Sequence, residues 1–406
     1  MVKRKVEGMA ACLSRLKQRG GINTSSNEIV SADETVSNNE IVTADEIVSN
    51  NEIVTRDEII SNKEIVSNSE IISPRVVDIT NASYIEFPSS DACGFWKGVK
   101  FSPDGSSILT NNDDNILRVF EDGFWKTYPH GECVYDYAWY PRMQSSLPAT
   151  CCFVSVSCGR PIQLWDSNNH RNVRATYKPI NHLYEVDSPL SVSFNLSGNK
   201  IFAGIDRCVY VFDTSRPGEQ IEQINTSATR KTTKDGLRGI LSCFAFNPDY
   251  SGMYAVGSYN GMIGIYAENN PSLCLSLFTG HSKGVTQVQF SNCGRFLFSG
   301  GRKDSCVEMW DIRNTGNSLF KFPRQVENHQ RIQFDAAFNI LATGSTCGNL
   351  LVYDTLHLDQ PSQSRQFDSP VNGVSLMGNH QIAVSTGSRI FDDDVEPIHS
   401  IGVLEY

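Results

Sequence analysis

Past residue 90 the chain alternates apolar and polar positions in short runs. Each run closes on an aromatic residue, often followed by aspartate: LRVF at Phe120, IQLWD at Trp165 and Asp166, VYVFD at Phe212 and Asp213, IGIY at Tyr266, VEMWD at Trp310 and Asp311, and LLVYD at Tyr353 and Asp354. A period of two is the pattern of a half-buried β-strand. The six aromatics lie 45, 47, 54, 44 and 43 residues apart, with further short strands and polar turns between them. A second pattern occupies the beginning of the chain. Glutamates recur every six residues at Glu28, Glu34, Glu40, Glu46, Glu52, Glu58, Glu64 and Glu70, each followed by one or two apolar residues.

A recurring unit of 43 to 54 residues with four short strands is the WD40 signature. It predicts an all-β fold, a seven-bladed WD40 β-propeller, over residues 76–406. The clearest unit is GHSKGVTQVQFSNCGRFLFSGGRKDSCVEMWD, starting at Gly280. Here the WD40 resemblance assigns a structural tetrad, in which His281, Ser299, Asp304 and Trp310 tie the strands of one blade by buried hydrogen bonds. A buried His and Asp are tolerable when paired in this way, so the pair reads as structural and not catalytic. Other blades lack a full tetrad and rest on the period alone. For the seventh blade, PVNGVSLM and HQIAVSTG supply two strands, and the third is either RIF or the terminal SIGVLEY, which matches the other third strands better. The outer strand is expected from before blade 1, near SYIEF at 83–87, so that the two ends of the chain close the ring and no sheet edge is left open at the seam.

The hexapeptide array fits three structures. On a helix, a six-residue step turns about 240° net, so the Ile-Val pairs spread over three faces and form no stripe. A β-solenoid would need more than two apolar residues per unit and a regular turn. An acidic low-complexity spacer suits the composition, and residues 28–75 are expected to be a disordered tail behind a basic, flexible segment at 1–27. The formal charge of −10 is uneven: about +5 over residues 1–20, −8 over 21–75 and −7 over the rest. A net-acidic domain can bind nucleic acid only through a local basic patch.

The twelve cysteines form no C-x-x-C and no zinc-ligand spacing, and read as free, mostly buried thiols of a reducing compartment. No apolar run reaches the roughly 20 residues that span a bilayer, and the start of the chain has no secretory apolar region. A soluble intracellular protein is expected, with no metal, cofactor or membrane partner. No P-loop occurs, and GSYNG and GSTCG are not the nucleophile elbow G-x-S-x-G. A binding platform, not an enzyme, is the expectation.

Several stretches go beyond a generic propeller. FWKGVKFSPDGSSILTNNDDNILRVF, VYDYAWYP, RPIQLWD, NHLYEV, FAGIDRCVYVFDTSRPG, GILSCFAFNP, YAVGSY, the unit from Gly280, NHQRIQFD, ATGSTCGNLLVYD and VNGVS follow one another from residue 95 to the region of residue 391. This series closely resembles the telomerase Cajal body protein 1 family, also called WD repeat-containing protein 79. The resemblance implies a nuclear RNA-binding scaffold that recognises the CAB box of H/ACA small Cajal body RNAs, and of telomerase RNA where present, and directs these ribonucleoproteins to Cajal bodies. It implies telomerase trafficking and telomere maintenance, H/ACA and telomerase components as partners, and folding by the cytosolic chaperonin with a cytoplasmic pool meanwhile. The alternative is a generic protein-interaction scaffold like G-protein β.

Single-stranded RNA loops are read by aromatic or Arg stacking and by hydrogen bonds to base edges. Candidate RNA-binding residues in the family-specific loops are therefore Phe95, Trp96, Lys97 and Lys100 in blade 1, Tyr140 and Arg160 in blade 2, Arg302 and Lys303 in blade 5, and Gln330 and Arg331 at the start of blade 6. Tyr135 and Tyr137 are further aromatics of the same kind. For the aromatics the competing role is core packing, and alternation in YDYAWYP puts Tyr135, Tyr137 and Trp139 on one face. A basic cluster at Arg230, Lys231, Lys234 and Arg238 can grip phosphate or remain a solvated loop.

Overall fold

The computed structural model describes residues 79–80, 82–88, 94–169, 173–227, 236–314, 316–358, 362–378, 380–388 and 399–405. The segment 1–27, the hexapeptide array, Arg230, Lys231, Lys234 and the third-strand alternative RIF lie outside the described residues.

Seven antiparallel sheets follow one another as the blades of a β-propeller. Blade 1 contains Trp96–Phe101, Ser107–Asn112, Ile116–Glu121 and Phe124–Pro129. Blade 2 contains Val134–Trp139, Cys152–Ser157, Ile162–Asp166 and Val173–Lys178, and blade 3 contains Ser191–Phe194, Lys200–Gly204, Cys208–Asp213 and Glu222–Asn225. Leu241–Phe246, Met253–Ser258, Met262–Ala267 and Ser276–Thr279 form blade 4; Val285–Phe290, Phe296–Gly301, Cys306–Asp311 and Phe320–Pro323 form blade 5. Blade 6 consists of Phe334–Ala337, Ile340–Thr343, Asn349–Asp354 and Gln363–Gln366. A two-residue strand, Gly218–Glu219, runs parallel to Tyr177 and Lys178 on the outside of blade 2.

Blade 7 takes its first three strands from Val371–Met377, Gln381–Thr386 and Ile401–Glu405, and its fourth from Ser83–Glu86, which pairs antiparallel with Ile401–Glu405. SIGVLEY is thus the third strand and SYIEF the outer one. The closing segment also ties neighbouring blades. Phe87 stacks on Phe120 of blade 1 at 4.1 Å between ring centroids, the Trp125 indole N–H donates to the Pro88 carbonyl, and Arg365 of blade 6 donates to the Ala82 carbonyl.

Second strands and most third strands are largely buried on both faces because each blade lies between two others; the third strands of blades 2 and 6 are more open. Ser107–Asn112, Cys152–Ser157 and Cys306–Asp311 are buried at every position. The alternation ahead of each aromatic therefore does not mark a solvent face here, and the polar Arg118 and Glu308 are buried as well. The interfaces are shared cores: Leu109, Leu117, Val119 and Tyr128 of blade 1 pack with Val134, Tyr137, Trp139, Phe153 and Trp165 of blade 2. Of the ten described cysteines, all free thiols, five are buried and three are exposed.

The first strands of blades 1, 2, 4, 5 and 7 each begin with a bulge, between Trp96 and Gly98, Val134 and Asp136, Leu241 and Cys243, Val285 and Gln287, and Val371 and Gly373. A bulge adds one residue and re-aims its side chain. Two of these extra residues reach the next blade: Ser242 donates to the Val285 carbonyl at 2.6 Å, and Asn372 Nδ2 to the Trp96 carbonyl at 2.7 Å.

Candidate nucleic-acid interface

Within blade 5, His281 Nδ1 donates to the Asp304 carboxylate, His281 Nε2 lies 2.7 Å from Ser299 Oγ, and the Trp310 indole N–H donates to the same oxygen at 2.7 Å. Burial alone would raise the Asp304 carboxyl, but the hydrogen bond and charge of His281 hold it below the ordinary carboxylate range. The Ser299 hydroxyl is fully buried and already takes the Trp310 N–H, so the His–Asp pair serves structure and no substrate reaches it.

Blade 2 carries a variant that the sequence pattern hides. His130 Nε2 lies 2.7 Å from Ser155 Oγ, and the Trp165 indole N–H donates to that oxygen at 2.9 Å. In place of an aspartate, His130 Nδ1 faces the Tyr128 carbonyl at 2.8 Å. The usable signal is a His ahead of the first strand, with a Ser in the second strand and the Trp of IQLWD in the third.

The channel side of the ring holds a polar network linking blade to blade. Asp136 is at its centre, 5 % exposed. It accepts the Val192 N–H of blade 3 at 3.2 Å, pairs with Lys100 of blade 1 at 3.8 Å, and pairs with Arg331 of blade 6 at 3.3 Å. Blades 2 and 6 are not neighbours, so Arg331 crosses the axis to reach it. Burial works against the charge of Arg331, and Asp136 together with weaker contributions from Cys243, Tyr259 and Tyr137 more than offsets it; at Lys100 burial prevails, helped by Arg331, and lowers the ammonium below its ordinary range. Elsewhere Gln333 of blade 6 accepts the Val99 N–H at 3.0 Å, Gln289 of blade 5 donates to Asp335 at 2.7 Å, and Asp335 accepts the Leu376 N–H of blade 7 at 2.7 Å.

Strands alternate in direction, so the links entering first strands and the turns between second and third strands open on one rim. Lys97, Arg160, Arg302, Lys303, Gln330 and Arg331 belong to that rim. Tyr140 follows a first strand and lies on the opposite rim, half-buried against Gly198 and edge-on to Phe194 at 5.6 Å. Lys100 faces the axis, where its ammonium donates to the Tyr137 carbonyl. Phe95 is buried, and Trp96 is 2 % exposed. The Trp96 ring stacks on Trp125 at 5.5 Å with the Arg118 guanidinium 5.7 Å away, so base stacking there would require the core to open. Phe95 and Trp96 are packed in the core: their position at a strand start looks the same in sequence whether the ring points out or in.

Tyr137 is buried beside Lys100, and Tyr135 is half-buried. Lys97 pairs with Asp113 at 2.9 Å, and Arg160 is exposed. Arg302 stacks on Tyr259 of blade 4 with its guanidinium 4.3 Å from the ring centroid. Lys303 is exposed at a left-handed φ of 49°. Three buried donors at the mouth of the channel, Arg302 Nε, Gln330 Nε2 and Arg331 Nε, have no hydrogen-bond partner among the described residues. Buried donors in folded proteins are nearly always satisfied, and an orphan needs an account. No cluster of three or more His, Cys, Asp or Glu able to hold a metal occurs among the described residues.

A family model described as "WD domain, G-beta repeat" matches residues 272–311, the last strand of blade 4 and the first three of blade 5. The chain is similar to telomerase Cajal body protein 1 of Bos taurus, 36 % identical over 348 residues, covering 80 % of this chain and 62 % of the relative. It is similar to the Homo sapiens protein of the same name, 37 % identical over 345 residues, covering 78 % and 61 %. It is also similar to guanine nucleotide-binding protein negative regulator 1 of Schizosaccharomyces pombe, 30 % identical over 325 residues, covering 73 % and 80 %. The chain therefore spans about three fifths of the length of the mammalian relatives.

Proposed function

The chain belongs to the telomerase Cajal body protein 1 family of WD40 propellers, and from that membership we propose that it is an RNA-binding scaffold. Its ligand is the CAB-box loop of H/ACA small Cajal body RNAs, and of telomerase RNA where that carries the box. Binding directs these ribonucleoproteins to Cajal bodies in the nucleus and supports telomerase trafficking and telomere maintenance. H/ACA and telomerase proteins are the accompanying partners, with the cytosolic chaperonin acting earlier on the folding ring. The propeller works as a platform and catalyses nothing.

The observation that supports this reading is the Arg302–Tyr259 stack at one mouth of the channel, with the exposed cation Lys303 next to it. A guanidinium and an ammonium so placed suit base stacking and phosphate contact. Crosslinking and sequencing of RNA bound in cells tests the proposal. Enrichment of H/ACA small Cajal body RNAs with crosslinks in a terminal loop is expected, and recovery no better than for an unrelated propeller overturns it. In vitro, Arg302→Ala with Lys303→Ala should weaken binding of a synthetic H/ACA stem-loop at least about tenfold. The slope of log Kd on log salt should fall by about one for each phosphate no longer neutralised. Unchanged affinity in filter binding removes both residues from the interface.

The second reading is a protein-interaction scaffold of the G-protein-β kind, and the fission-yeast relative, whose name is that of a regulator of another protein and of which most is spanned, is compatible with it. Salt-dependent affinity for one RNA loop separates the two, since a pure scaffold lacks it. The domain division 1–27, 28–75 and 76–406 assigns the binding to the ring alone. Deleting residues 21–75 is then expected to leave both the melting temperature and the RNA affinity nearly unchanged; a drop of several degrees in calorimetry would assign the array a packing role.

A further inference from the structure

The link from the outer strand of blade 2 to the first strand of blade 3, residues 179–190, carries an exposed apolar tip. Leu183 is 63 %, Tyr184 91 % and Val186 45 % exposed. The tip is rigidly built. The Asn181 side-chain oxygen accepts the N–H groups of Leu183 at 2.8 Å and Glu185 at 3.0 Å, while the Tyr184 N–H donates to the Asn181 carbonyl at 3.0 Å. Its base is fixed by two hydrogen bonds between Ile180 and Gln220, by the Asp187 N–H on the Pro179 carbonyl, and by the Tyr210 hydroxyl on Asp187. Tyr184 sits at a φ of 62°, a left-handed conformation that glycine or asparagine adopts at lower cost. The chain thus holds an aromatic ring in water, on a firm backbone, in a conformation that does not suit tyrosine.

We propose that Tyr184 is a stacking platform for an unpaired base of the bound RNA, an inference that rests on the RNA reading above. The tip lies on the same rim as the donors at the channel mouth. It is tied to the neighbouring turn of blade 2 through the Gly159 N–H on Ser188 Oγ at 2.9 Å. Three exposed apolar side chains are far short of the roughly 800 Å² per partner of an ordinary protein interface, whereas one ring matches one base face. Of the two acids in the loop, Asp187 is already engaged by Tyr210 and Asn181. Glu185 opposes a phosphate, not the face of a base. A preorganised ring also loses little conformational freedom on binding.

The test uses the full chain with the substitutions Tyr184→Asn, which suits the left-handed backbone, and Tyr184→Phe, with a synthetic H/ACA stem-loop RNA as the probe. Tyr184→Asn should weaken binding about tenfold with the salt slope unchanged, because a stack releases no counterions. Tyr184→Phe should bind as the wild type does, and neither variant should melt lower. Full affinity in Tyr184→Asn overturns the platform and leaves the RNA reading standing. Failure of the wild-type chain to bind any such RNA is the separate result that overturns both. If Tyr184→Asn keeps its RNA but loses a co-purifying protein, the tip belongs to a protein partner and the platform is again overturned.

Discussion

Replacing Asp136 by alanine should destabilise the propeller by about 3–5 kcal/mol, the usual cost of removing one partner from a buried charged cluster. The carboxylate is buried and serves three blades besides its own: the Val192 N–H of blade 3, Lys100 of blade 1 and Arg331 of blade 6. Without it, two cations face each other near the axis and one backbone donor is orphaned. Asp136→Asn keeps an acceptor for Val192 while losing the charge, so it should fall between wild type and alanine. Arg331→Ala should cost less than Asp136→Ala, since Lys100 and Val192 still neutralise and bind the remaining carboxylate. In the double variant the losses should be less than additive, because both substitutions break the same ion pair. Urea unfolding of the four proteins measures this. An Asp136→Ala protein within about 0.5 kcal/mol of wild type, an ordinary value for a surface change, would mean the axial cluster contributes nothing. Loosening Arg331 also unseats a donor at the channel mouth, so RNA affinity should fall together with stability in Asp136→Ala.

The axial cluster also marks where reading along the chain stops. The ring itself is legible, because each blade repeats one pattern at nearly one period and the third strands of blades 1 to 6 carry an aromatic at the same register position, where blade 7 has Leu404. Even the seam is readable from SIGVLEY and SYIEF: both alternate like the strands they complete, and Ser83 to Glu86 pair in register with Glu405 to Gly402. Lys100 and Arg331 read as RNA-facing because they are charged residues in family-specific stretches. Their common partner Asp136 is 36 residues from one and 195 from the other, a relation that only closure of the ring creates. Polar residues on the alternate positions of VTQVQF and QRIQFD are the available hint: in a strand without solvent on either face they must bond across to a neighbour. His130 is hidden for another reason. It lies 25 residues before its serine, against 18 in blade 5, because a longer first turn in blade 2 stretches the motif. Tyr184 sits in NHLYEV, where sequence shows a short polar loop and cannot show that the backbone aims the ring outward.

Acid should weaken the propeller first through blade 2. Burial pushes His130 down to about 4 from an ordinary 6.5, with the Tyr128 carbonyl opposing that shift and Arg160 adding to it. The geometry gives the reason. His130 Nδ1–H donates to a carbonyl and Nε2 accepts from Ser155, whose oxygen takes the Trp165 N–H, so the neutral ring satisfies every partner. A second ring proton would bury a charge and leave the Ser155 hydroxyl proton without its acceptor. The unfolded chain takes up that proton near pH 6.5 and the folded chain only near pH 4, so the stabilisation is complete above 6.5 and is lost as pH falls towards 4. The loss reaches about 3 kcal/mol by pH 4. His130→Gln should be less stable at pH 7 but nearly flat across that window. The Asp304 carboxyl of blade 5, held below its ordinary range, acts in a lower window: its contribution stands above about pH 3.8 and fails only as pH drops further. Urea unfolding at pH 7, 5 and 4 separates the two, and an NMR titration of His130 reads its ring directly. Equal pH slopes for wild type and His130→Gln, or a ring that titrates near 6.5 in the folded protein, would return the acid response to the carboxylates alone.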